Sequence, residues 1–241
     1  MIKGYEKIYN LGDLSQLLLE KSKPSLSDID KKELGQRIKK YIFGEKVKGK
    51  ARPLNSKSKY WIENFRYYSE IISSFERLFQ AYVYLCKYPN YRYYNFYRIN
   101  EFSWIRYHIE FYLQENYILR ERTIKWIERV EEIAKRKSNE ELKNRIIKIK
   151  RISDKAFKRI SRIRGTHVHE LRFEPKDYEG IDALNLFISK GKLKELIPLR
   201  NLRLTKITLD WKEQIIENNK SLVRFYNILF NSLRKVLIDL E

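Results

Sequence analysis

WIENFRYYSEIISSFERLFQAYVYLC, residues 61–86, repeats its large apolar side chains at a rhythm that a long helix satisfies. Trp61, Phe65, Tyr68, Ile72, Phe75, Phe79, Tyr82 and Cys86 follow one another by four and three residues in alternation. With 3.6 residues per turn these positions share one face, and Glu63, Arg66, Glu70 and Arg77 fall largely outside it. The spacing predicts a helix over 59–87, stopped by Tyr88-Pro89-Asn90. Cys86 reads as a buried small hydrophobe on that face.

The same rhythm recurs downstream. Between Pro53 and Gly165 there is no glycine, and Pro89 is the one proline, so helix breakers are scarce. A second helical region is expected over 100–137, led by Trp104, Ile105, Ile109 and Tyr112, with a kink or short break near Gln114-Glu115-Asn116. His108 on it reads as a core-edge residue. A third helix is expected after Ser138-Asn139-Glu140-Glu141, ending near Gly165. Its apolar stripe is Leu142, Ile146, Ile149, Ile152, Ala156, Ile160 and Ile163. Its other faces crowd Lys143, Arg145, Lys148, Lys150, Arg151, Lys155, Lys158, Arg159 and Arg162 into the most basic helix of the chain.

Glu174-Pro175-Lys176-Asp177 reads as a loop. A short helix follows over 181–189, ending at Gly191, and Ile197-Pro198 reads as another loop. A last helix over 205–240 is striped by Leu222, Tyr226, Leu229, Leu233, Val236 and Leu240. The tyrosine-rich run 91–97 has strand-like composition but no hairpin partner. Residues 1–57 hold five of the eight glycines and two short helical segments, 13–20 and 27–43, then a basic loop over 44–53. The fold expected is all-α: an antiparallel bundle of long helices over 58–241, with residues 1–57 as an N-terminal helical extension packed on it.

Composition narrows the function. The 241 residues carry 51 Lys and Arg against 31 Asp and Glu, a formal charge of +20. Such a field draws in polyanions, so nucleic-acid contact is favoured over a merely solvated surface. No apolar run reaches the length of a membrane span, and the first residues lack the apolar core of a secretory signal. A single cysteine fits a reducing compartment, so a cytoplasmic protein is expected. One cysteine and three histidines do not make a closed zinc site, and no phosphate-binding glycine loop or nucleophile elbow is present. The aromatic–basic run over 88–97 could stack on unpaired bases, or simply pack helix ends.

The chemistry-bearing cluster is Arg164-Gly165-Thr166-His167-Val168-His169-Glu170 at the end of the basic helix. Histidine exchanges protons near neutrality, and arginine offers phosphate a fixed donor fork. The plainer alternative is that both histidines cap a helix end through backbone carbonyls or Glu170. An arginine followed, after four intervening residues, by a histidine resembles the hallmark of the HEPN superfamily of all-helical nucleotide-binding bundles. There the motif lies near a helix end and a last long helix follows it; the resemblance covers 59–240. It implies a metal-independent endoribonuclease without cofactor, acting as a homodimer that brings two motifs into one cleft. His169 is then the acid or base, Arg164 steadies the scissile phosphate, and His167 positions substrate. Arg151, Lys155, Lys158, Arg159 and Arg162 are the expected RNA contacts. By family analogy the role is toxin–antitoxin or antiviral defence, with an antitoxin or defence-complex partner. Gly165 stands where many active members carry a polar residue. The alternative it opens is a non-catalytic RNA-binding or protein-interaction subunit.

Overall fold

The 61–86 stretch lies within a helix, α2 (Ser56–Cys86), in a computed structural model that describes residues 13–21, 56–89, 92–97, 99–137, 139–169, 176–189, 191 and 194–240. Before it comes α1 (13–21). After it come α3 (Arg92–Phe96), α4 (Glu101–Arg136), α5 (Glu140–His169), α6 (Lys176–Ser189), a 3-10 turn (Lys194–Leu196) and α7 (Ile197–Asp239). The described residues contain no strand. The fold is an all-α antiparallel bundle. The expected helix over 27–43 and the basic loop over 44–53 lie outside the described residues.

α2, α4, α5 and α7 run alternately up and down, and α4 is the central member, packed on the other three. Ion pairs set the α2–α4 register: Arg129 Nε lies 3.0 Å from Glu63, Arg122 Nε 3.8 Å from Glu70, and Arg77 Nη1 3.2 Å from Glu115. Successive pairs are seven residues apart on both helices and run in opposite chain directions. α7 closes the bundle against α2 through Phe75–Tyr226 (4.5 Å) and Tyr68–Phe230 (5.7 Å), and against α5 through Phe157–Phe225 (5.5 Å). Buried polar links tie it to α4. The Tyr112 hydroxyl donates to Asn219 Oδ1 at 3.0 Å, and Thr123 Oγ1 lies 2.5 Å from the Tyr226 hydroxyl. The N-terminal extension joins this core: Leu14 and Leu18 on α1 are fully buried, and the Lys21 ammonium lies 5.8 Å from the Trp61 ring.

Helix ends follow their capping residues. Asn100 accepts from the Ser103 amide at 2.9 Å and starts α4; Asn139 accepts from the Leu142 amide at 3.0 Å and starts α5. Gly191, at φ +69°, follows α6 in the left-handed conformation that glycine adopts without strain. The Arg203 guanidinium on α7 lies over Gly180 on α6, in the space a side chain there would share with it.

Several expectations need correction. No break interrupts α4: Glu115 and Asn116 are buried inside one continuous helix, Glu115 against Arg77 and the Asn116 amide donating to the Tyr112 carbonyl at 2.8 Å. The 92–96 run is a short helix, not a strand. Lys176 and Asp177 open α6, and Ile197-Pro198 opens α7, because proline is well suited to a first helical turn. In α2 the fully buried line passes through Asn64, Ile71, Leu78 and Leu85, leaving Cys86 exposed. Asn64 is inside because its amide is spent twice, accepting from Trp126 Nε1 at 2.7 Å and donating to the Tyr60 carbonyl at 2.8 Å.

Candidate nucleic-acid interface

α5 buries Leu142, Ile146, Ile149, Ser153 and Phe157, whereas Ile152 and Ala156 are exposed. The apolar face therefore advances by four residues at 149, 153 and 157, as a straight helix of 3.6 residues per turn does when followed over several turns. Phe157 fixes this phase by meeting Phe225 and Tyr226. The opposite side is left to the cations.

Those cations divide into two groups. Three near the start of α5 are engaged: Lys143 with Glu140 at 3.2 Å, Arg145 with Glu141 at 2.6 Å and Asp239 at 3.0 Å, and Lys150 with Glu128 at 3.1 Å. The hydrogen bond that Lys150 donates to the Glu128 carboxylate raises the lysine's pKa. Lys148, Arg151, Lys155 and Lys158 are exposed and form no ion pair among the described residues. They follow one another by three, four and three residues, so they make one line along the helix. The line is about 15 Å long. Like charges at this spacing repel, each pair costing a few tenths of a kcal/mol, and no ion pair to a neighbouring helix offsets the cost among the described residues. Lys148 belongs to the line although composition alone did not single it out; the signal was the spacing of its partners.

α5 continues past Gly165 to His169, four residues beyond the expected end. Arg159, Arg162, Arg164, His167 and His169 lie on this helix, and their side chains fall outside the described residues. Positions 162, 165 and 169 prolong the line of Lys148, Arg151, Lys155 and Lys158. Position 167 is about 160° from 169 around the axis, and position 164 about 140° from 169.

The third histidine has a different character. His108 is buried among Trp104, Tyr84 and Tyr107, whose ring centroids lie 4.3, 4.9 and 5.1 Å away. Neither ring nitrogen has a hydrogen-bond partner among the described residues, and burial lowers its pKa to about 4. It is neutral at pH 7 and packs as part of the core edge.

Among the described residues no helix is long and apolar enough to cross a membrane. No family model, no curated protein and no solved structure matches this chain.

Proposed function

We propose that the chain is a metal-independent endoribonuclease of the HEPN type, cytoplasmic and homodimeric, with a toxin–antitoxin or antiviral role and a neutralising or defence-complex partner. The observation that carries this reading is the unpaired cation line on α5, directed toward the helix end that bears Arg164, His167 and His169. Cations that form no ion pair among the described residues are suited to phosphates, and on this reading the line aims a bound strand at the groups able to cut it.

The chemistry balances without a metal. A neutral histidine removes the 2′-hydroxyl proton, and the 2′-oxygen attacks the adjacent phosphorus. The 5′-oxygen leaves and takes a proton from a histidinium, giving a 2′,3′-cyclic phosphate and a 5′-hydroxyl. Arginine stabilises the charge that builds on the phosphoryl oxygens. Positions 164 and 169 do not share a face of one helix, which supports a cleft completed by a second copy. On this reading His169, on the cation line, handles the proton, Arg164 holds the phosphate and His167 positions the strand.

Incubating RNA with the wild type, Arg164→Ala and His169→Ala in chelator tests the proposal. Cyclic-phosphate ends from the wild type alone support it. Gly165 favours the second reading, a non-catalytic RNA-binding or protein-interaction subunit: RNA retained on a filter but cut by none of the three would select the RNA-binding form and remove the nuclease.

A further inference from the structure

At the α2–α4 junction three aromatic side chains stand in water: Phe96 is 78% exposed, Tyr97 57% and Tyr107 61%. The fold handles their neighbours differently. Tyr94 packs against Trp104 at 5.5 Å and Tyr88 at 6.3 Å, the Tyr88 hydroxyl donates to the Ile99 carbonyl at 2.5 Å, and Trp104 Nε1 donates to the Tyr84 carbonyl at 3.0 Å. These contacts fasten α3 to the bundle through Tyr94, while Phe96 and Tyr97 remain exposed. Phe96 and Tyr97 meet edge to face at 5.1 Å, and Tyr107 lies nearly parallel to Phe111, 14° apart in plane, at 6.4 Å. The exposed guanidinium of Arg92 opens the same short helix.

This junction lies at the end of the bundle toward which α5 carries its cations. Arg120 on α4 faces Asp154 on α5 at 3.9 Å. From that level Tyr107 lies about 20 Å farther along α4, and Lys158 about 6 Å farther along α5 in the same direction. Along the bundle axis Lys158 and Tyr107 are thus about 14 Å apart.

We propose that Phe96, Tyr97 and Tyr107 form a stacking platform for unpaired RNA bases, so that the strand held by the α5 cations is single-stranded. The inference rests on the RNA reading of α5. Every base has a π-face that an exposed ring can cover, whereas a duplex keeps those faces stacked inside. A net charge of +20 and the nearby Arg92 favour a polyanion over an apolar protein as the occupant.

The test measures anisotropy of two labelled 2′-O-methyl oligonucleotides, a single strand of about 16 nucleotides and the corresponding duplex, binding to the full chain. Phe96→Ala, Tyr97→Ala and Tyr107→Ala combined should weaken single-strand binding about tenfold or more. Duplex binding should stay within about twofold, because the phosphate contacts are untouched. Tyr97→Phe, which keeps the ring, should bind as the wild type does. Unchanged duplex binding and an unchanged melting temperature exclude misfolding of the triple variant. A triple variant that holds the single strand as tightly as the wild type overturns the platform alone, as does a wild type that prefers the duplex. A wild type that binds neither oligonucleotide overturns the RNA reading of α5 with it.

Discussion

His108 and Tyr226 show what single buried polar groups do in this core. Burial holds His108 neutral, with its pKa lowered to about 4 from an unfolded value near 6.5. Between those values the unfolded chain binds the proton and the folded chain refuses it. Stability from this residue is therefore complete above pH 6.5 and is lost as pH falls toward 4. Denaturant melts at pH 7 and pH 4.5 should show the wild type losing about 2–3 kcal/mol more than His108→Leu. Equal losses would mean the imidazole is not shielded. Tyr226 is fully buried, and its hydroxyl meets Thr123. Thr123→Val leaves that hydroxyl without its partner and should cost about 1–3 kcal/mol, whereas Thr123→Val with Tyr226→Phe, which removes both polar groups, should recover most of it. Denaturation midpoints at constant slope check both variants.

At the scale of the element, α2 and α4 are aligned by the sign of their charges. Glu63 and Glu70 on α2 face arginines on α4, while Arg77 faces Glu115. Sliding one helix by seven residues sets Glu70 against Glu115, so the wrong register is repelled. Glu63→Arg should destabilise the bundle by about 1 kcal/mol, and adding Arg129→Glu should restore most of the loss. α5 makes a separate point. Its backbone is helical through Gly165, a residue that costs a helix about 0.5–1 kcal/mol relative to alanine. Gly165→Ala should raise helicity and thermal stability by that amount; a fall in stability together with lower helicity by circular dichroism would contradict a helix through this position. The four-three rhythm made the long helices legible in the sequence, since periodicity reports which face is covered. Detail within each face was less legible. Asn64, Glu115, Asn116 and Ser153 are buried, each with at least one polar atom held in a specific bond, and such pairings do not register in an apolar count. The same blindness exchanged Phe157 for Ala156 and hid Leu85 behind Cys86.

For the whole molecule, the charge of +20 is not uniform in what it does. Arg77, Arg122 and Arg129 on α2 and α4, with Arg145 and Lys150 on α5, are spent on holding helices together. Lys148, Arg151, Lys155 and Lys158 form no ion pair among the described residues. Sequence alone showed a basic helix; separating its engaged cations from its idle ones needed the positions of the acids on neighbouring helices. That separation carries the functional account, and salt dependence measures it directly. RNA affinity of the full chain, followed across a range of salt concentrations, should give a steep negative log–log slope. Replacing Lys148, Arg151, Lys155 and Lys158 together by glutamine should make that slope shallower by about 3 for a single strand, the release expected from four lost phosphate contacts. A slope unchanged by the fourfold replacement, or no RNA affinity in the wild type, would contradict the account.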